Sequence, residues 1–275
     1  MPTPGETKAG IAGVFDRAAE TYDSIGIEYF TPFGRRLVDL VDLRPGERVL
    51  DAGCGRGAAT FPAAEAVGPD GAVHAIDLAP GMVQRTAEEA EARGLGNVTV
   101  RVGDAEQPDL PAGTVLDAVL SAFAIFFLPD PVAAMRRYRA LLRDDGRLGI
   151  SRFPEQPPSA WVRAAGAVMR NLPGPRPGHG ADTPFASNDR LEATLRDAGF
   201  TTARSVVEPF RTTFRDREHW WSFVWSQGQR AALENVPADR LDDLKRECFD
   251  LLAEEVRPDG SLVLTQYVSF TVARA

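Results

Sequence analysis

The chain has 275 residues, 44% hydrophobic and 25% charged, a balance that suits one α/β domain with insertions and excludes global disorder. Its formal net charge of -8 argues against a nucleic-acid backbone as the main partner, although a local basic patch is compatible with that total. Three His and two Cys, Cys54 and Cys248, are too scattered for a disulfide framework or a metal cluster, so free thiols and no catalytic metal are expected.

The N-terminus, Met1 to Gly5, lacks a signal-peptide pattern, and no apolar run nears the roughly 20 residues that span a membrane. The chain therefore reads as cytoplasmic. Residues 1–10 read as a tail, followed by helices over 11–21 and 32–43, the second with Leu37, Leu40 and Val41 on one face. Pro45-Gly46 is a turn, and the rhythm then changes. Strands are predicted at 48–51, 72–76, 98–102, 117–120 and 147–151, with helices to Val67, over 80–93 and over 131–142 between them. Strands alternating with helices specify crossover units and a mostly parallel sheet, whose strand C-termini share one ligand-binding edge.

After Ser151 the alternation breaks. Residues 153–187 form a Pro/Gly-rich insertion with a helix at 160–169 and His179 in its loop. A helix over 188–198, capped by Ser187 or Asn188 and ended by Gly199, a strand at 203–208, two helices within 216–256 broken at Pro237, and a strand at 261–272 complete the plan. The expected architecture is a Rossmann-like, seven-stranded, mostly parallel sheet with helices on both faces and helical lid insertions. Residues 1–44 would form a helical cap, residues 45–275 the core, and 153–187 and 211–256 the lid.

The strongest motif is Val49-Leu50-Asp51-Ala52-Gly53-Cys54-Gly55-Arg56-Gly57, which closes a strand and opens a helix. Alternate glycines let the backbone turn tightly and approach a ligand. Asp51, two positions before the first glycine, would repel a dinucleotide pyrophosphate but attract a methionine-type ligand with its ammonium and sulfonium. Asp77 ends the second strand and can accept two ribose hydroxyls. Gly103-Asp104-Ala105 follows the third strand, where Asp104 could take an adenine amine. Carboxylates at three successive strand ends suit a cationic nucleoside.

These residues resemble class I S-adenosylmethionine methyltransferases, above all the ubiquinone/menaquinone-type and natural-product subgroup. The resemblance is clearest over residues 45–151. It implies S-adenosyl-L-methionine as cofactor and S-adenosyl-L-homocysteine as product. By the same resemblance, Asp51, Gly53, Cys54, Gly55 and Gly57 hold the methionine part, and Asp77 the ribose. Leu78 and Met82 flank the adenine, while Gly103, Asp104 and Ala105 meet its edge. Ser121 lies on the methyl-transfer side, and Tyr22 belongs to an N-terminal Tyr-Asp element that folds over the cofactor.

The acceptor is less legible. Direct displacement needs alignment and exclusion of water, and a base if the acceptor is a hydroxyl. His74 reads as structural. His219-Trp220-Trp221-Ser222-Phe223-Val224-Trp225 reads either as a buried helix face or as the wall of an apolar cavity, joined by Phe123, Phe126 and Phe127. His219, Glu218 and Tyr29 are the candidate catalytic residues. The expectation is transfer of a methyl group to oxygen or carbon of a small, largely apolar metabolite of secondary metabolism. No nucleic-acid or membrane partner is expected, and a homodimer is left open. The weighed alternatives are a nicotinamide oxidoreductase, an RNA or protein methyltransferase, and a non-methylating protein on the same fold.

Overall fold

In the computed structural model, which describes residues 3–174, 178 and 180–275, seven strands form one sheet in the order β3-β2-β1-β4-β5-β7-β6. They are β1 (Arg48–Ala52), β2 (Ala72–Asp77), β3 (Val98–Val102), β4 (Leu116–Ala122), β5 (Leu142–Arg152), β6 (Thr202–Phe214) and β7 (Leu262–Arg274). β7 alone runs against its neighbours. The chain winds outward from β1 to β3 and returns beside β1 as β4, so the reversal point lies between β1 and β4. That crevice, at the carboxyl ends of the strands, is where an open α/β sheet takes its ligand.

The helices are α1 (Pro4–Ala18), α2 (Thr31–Val41), α3 (Thr60–Val67), α4 (Pro80–Ala92), α5 (Pro131–Leu141), α6 (Ala160–Met169), α7 (Asn188–Asp197), α8 (Arg217–Trp225), α9 (Arg230–Leu233) and α10 (Leu241–Leu251). Two apolar cores result, one on each sheet face. Leu50, Val119, Leu148 and Ile150 pack under α5 and α7. Val49, Val73, Ala118, Leu120 and Phe270 pack under α2 and α3, and this core continues into α6, α8 and α10. The alternation of side chains along each strand sorts neighbouring residues between the two cores.

Four sequence expectations need correction. The expected tail is helical from Pro4, because Thr3 and Glu6 form a capping box and Pro4 sits at a helix start that needs no N–H. β5 starts at Leu142, and the expected Asp144-Asp145-Gly146 turn is an irregularity inside the strand, with Asp145 at φ 62°. The strand expected at 203–208 runs on to Phe214, because β6 pairs with β7 in unbroken register from Thr202↔Arg274 to Phe214↔Leu262. Residues 211–214 therefore belong to the sheet. The two helices expected within 216–256 are three, α8, α9 and α10, with short 3-10 turns at Ala238–Arg240 and Ala253–Glu255. His179 lies outside the described residues.

α7 starts as its sequence dictates. Ser187 Oγ accepts the Arg190 N–H, satisfying one of the orphan donors of the first turn. Ser187→Ala is expected to lower unfolding free energy by about 1 kcal/mol. A urea midpoint that falls with an unchanged slope would show it; an unmoved midpoint would remove the cap from the account.

Candidate active site

The glycine loop after β1 is built by its own neighbours. Gly53 and Cys54 both donate to Ile76 O of β2, at 2.9 Å each. Gly53 has φ 84°, and a Cβ there would stand 2.4 Å from Ala124 Cβ. The segment after β4 thus rests directly on the glycine loop, and only a hydrogen fits between them. Gly55 and Gly57 also have positive φ, 49° and 82°. Cys54 is buried, its thiol pushed up by burial and by the charges of Asp77 and Asp51.

Asp51 faces α3 and is fully buried. Its Oδ2 accepts the Thr60 hydroxyl at 2.6 Å, and its Oδ1 has no partner. Burial pushes the carboxyl up to about 7, with the charge of Asp77 adding to the rise. An unpartnered buried acceptor carries a real cost, which a bound hydrogen-bond donor or cation would relieve.

Asp77 is tied to the loop after β1 and to the loop after its own strand. Its Oδ2 accepts Gly55 N–H at 2.8 Å and its Oδ1 accepts Ala79 N–H at 2.9 Å. Burial raises its pKa while these backbone donors hold it down in part. Each carboxylate oxygen keeps a further lone pair for a ligand hydroxyl. Asp104 accepts Glu106 N–H through Oδ1 and the Lys8 ammonium through Oδ2, at 2.9 and 2.8 Å. Ala105 is buried, and its carbonyl accepts the Tyr138 hydroxyl at 2.6 Å. Gly103 approaches Ile76 so closely that a Cβ would meet Ile76 Cβ at 3.2 Å. Met82 is fully buried with Ala19 and Ala79, against Phe15 and Tyr22, and Ser121 Oγ donates to Ala52 O at 3.3 Å. Leu78 follows Asp77 and is half-buried.

The N-terminal segment closes over this edge. Lys8 reaches Asp104 and Glu106, Asp16 accepts Gly81 N–H at 2.6 Å, and Arg56 donates to Ala19 O at 2.6 Å. Tyr22 stacks on Phe30 with centroids 5.1 Å apart, and burial with the charges of Asp23 and Asp77 raises its pKa. Asp23 itself organises a turn: Oδ1 accepts Tyr29 and Phe30 N–H groups, and Oδ2 accepts the Thr31 hydroxyl. Sequence reading missed Lys8, Thr60, Thr86 and Arg56. Thr86 donates to Gly55 O at 2.7 Å from α4, one turn beyond Met82, and no motif marks it.

The three residues singled out for chemistry do not converge. His219 has both ring nitrogens engaged by backbone: Nδ1 accepts Arg215 N–H at 3.2 Å and Nε2 meets Ile25 O at 2.9 Å. The pair of contacts selects the neutral tautomer with its proton on Nε2. Glu218 is exposed and pairs with Lys245 at 2.7 Å. Tyr29 is buried among Phe30, Phe33 and Phe223, and burial drives its pKa well up. What does converge is an aromatic wall. Phe123, held at φ 55°, lies 4.4 Å from Phe153 and 5.5 Å from both Phe30 and Phe33, measured between centroids. Trp161, Phe214, Trp220 and Phe223 extend the same core. Among the described residues, no three His, Cys, Asp or Glu side chains gather as a metal cluster.

Residues 43–187, over half of the chain, match the methyltransferase domain family. The chain belongs to that family. It is 41% identical to a nocamycin O-methyltransferase of Saccharothrix syringae, over 95% of this chain and 97% of that protein. It is 45% identical to the aklanonic acid methyltransferase DauC of a Streptomyces species, over 60% and 78% of the two chains. Among solved structures it resembles a SAM-dependent methyltransferase from Aquifex aeolicus, at 25% identity and a TM-score of 0.50 over 63% of this chain and 82% of that one. The chain is an S-adenosylmethionine-dependent methyltransferase. Its residues fit that cofactor: the unpartnered Asp51 Oδ1 offers a buried anion to a cationic ligand, and Gly53 leaves the loop bare of a side chain. Bound there, S-adenosylmethionine supplies a methyl group made electrophilic by its sulfonium.

Proposed function

We propose that this methyltransferase transfers its methyl group to an oxygen of a small, largely apolar metabolite that carries an acidic group, in secondary metabolism. In this reading Asp51 and the glycine loop hold the methionine part of the cofactor, Asp77 the ribose, and Asp104 with Ala105 the adenine edge. Leu78 and Met82 flank the ring. Tyr22 and the rest of residues 1–44 act as the cap, and the helices of 153–187 and 217–256 as the lid.

One observation supports the acidic acceptor above the rest: among the described residues, none of the candidate bases stands free beside the aromatic wall. His219 is committed to two backbone groups and Glu218 faces solvent. Tyr29 sits in an apolar cluster that disfavours its ionised form. A carboxylate, or a strongly acidic hydroxyl, arrives already deprotonated and asks for none. Its oxygen forms the new bond to carbon as the carbon–sulfur bond breaks, sulfur keeps the electron pair, and no proton leaves. The chain's own work is then to align the acceptor and exclude water. The relatives are in keeping with this, one an O-methyltransferase and the other acting on an acid, by their names.

The test is turnover against a panel of aromatic and polyketide acids, aklanonic acid among them, beside matched phenols and neutral analogues. We expect methyl esters from the acids and, with cofactor saturating at every pH, rates that stay flat above the acceptor's own pKa. Methylation at carbon, or of neutral acceptors alone, would overturn the reading.

A further inference from the structure

α1 is held in place by charge more than by apolar burial. Of its fifteen residues only Ala18 is buried. Its contacts with the sheet edge are polar. Lys8 Nζ lies 2.8 Å from Asp104 Oδ2 and 3.5 Å from Glu106 Oε2, in the segment after β3. Asp16 accepts the Gly81 N–H at the start of α4, the helix after β2. Just past the end of α1, Arg56 of the glycine loop donates to Ala19 O, and Glu20 pairs with Arg85 of α4 at 2.7 Å. One short segment therefore touches the loops after β1, β2 and β3, the three to which the cofactor is assigned. Phe15, Ala19 and Tyr22 also close over Met82, which is fully buried. Elsewhere on α1, Arg17 Nε donates to Glu234 at the end of α9, at 3.0 Å.

The chain after α1 is built to bend. Asp23, at φ 52°, accepts the Tyr29 and Phe30 N–H groups and the Thr31 hydroxyl, which ties the chain from Tyr29 onward to the start of α2. His219 holds Ile25 O. Between these anchors Gly26 has φ 81°, and a Cβ there would meet nothing within 4 Å. A few loop residues of this kind absorb the backbone change of a hinge. A segment with little buried apolar area opens at lower cost than the sheet beneath it, and partly exposed ion pairs weaken further with salt.

We propose that α1 is a gate over the adenine end of the cofactor site, with Lys8 as its clasp. S-adenosylmethionine enters, and S-adenosyl-L-homocysteine leaves, when Lys8 parts from Asp104 and Glu106 and residues 3–22 swing about residues 23–27. The inference rests on the assignment of Asp77 and Asp104 to the cofactor. A gate delays both passages alike, whereas a side chain that only touches the bound cofactor alters its release and leaves its entry alone.

Surface plasmon resonance on the immobilised full chain, with S-adenosyl-L-homocysteine as the ligand, reads both rate constants. Lys8→Met should raise association and dissociation together, each about fivefold, with Kd held within about twofold, the size expected of one partly exposed ion pair. Arg17→Met, which releases α1 from α9, should act in the same direction, and Lys8→Arg should return the rates to near the wild-type values. S-adenosyl-L-homocysteine carries one ammonium and one carboxylate, so salt acts on the protein's pairs more than on its net charge. Raising NaCl from about 50 to about 500 mM should speed entry and release in the wild type, and less so in Lys8→Met. Faster release with unchanged entry would make Lys8 a ligand contact and overturn the gate. Rates that no substitution moves would do the same. The salt series on the wild type decides even where a variant fails to fold, since entry and release that do not rise together sink the proposal. Asp77→Ala tests the cofactor assignment separately. Lost affinity there with unmoved Lys8→Met rates sinks only the gate, and unchanged affinity in folded Asp77→Ala sinks the assignment whatever Lys8 does.

Discussion

Asp51→Asn is expected to weaken S-adenosylmethionine by roughly 10²–10³-fold, the cost of removing one partner of a buried charge pair. The substitution is nearly isosteric, and Thr60 can still donate to the side-chain oxygen, so the fold should survive. The pH dependence carries the same argument. Burial pushes the Asp51 carboxyl up to about 7 in the free protein. Below that value the group is protonated and offers no charge to a cationic ligand. Cofactor affinity should therefore rise about tenfold per pH unit through 5.5–6.5 and level off above about 7.5. Stability should move the other way. The folded carboxyl keeps its proton to about 7, against 3.8 when exposed. Its contribution is thus full below about pH 4 and is lost as pH rises through 7, on the order of 4 kcal/mol in all. Thermal melts of the ligand-free wild type and Asp51→Asn at pH 5 and 7.5 check this. The wild type should lose more than the mutant, and calorimetry should show the affinity slope only in the wild type. Parallel melts with equal affinities would remove Asp51 from the site.

Gly53→Ala should combine a loss of stability of about 2–4 kcal/mol with loss of cofactor binding by about a hundredfold or more. Two independent effects meet at this atom. The backbone sits at φ 84°, which an alanine adopts only at a cost, and the added Cβ would lie 2.4 Å from Ala124 Cβ. The loop must then part from the segment after β4, carrying Phe123 and the aromatic wall with it. Denaturation curves and calorimetry on the same preparation read both effects. Gly55→Ala serves as the comparison, because a Cβ there meets nothing within 4 Å and leaves only the backbone cost. Equal behaviour of the two variants would show that close approach at Gly53 matters little.

The sequence determined the part of this protein that is local. The glycines between β1 and α3, the carboxylates at the ends of β1 and β2 and just after β3, and the strand–helix alternation all lie within a few residues of what they specify. The parallel sheet and the cofactor motif could therefore be read directly. A cap such as Ser187 was legible for the same reason, since its acceptor and its donor lie three residues apart. Only the tertiary structure decided the rest. His219 looked like a base because its type and its aromatic setting permit one, but Arg215 and Ile25 claim both nitrogens, and Ile25 lies on a loop distant in sequence. Glu218, one residue away, turns to solvent because helical periodicity points neighbours apart. β6 ran past its expected end because strand length follows the register available on β7, a partner some fifty residues later.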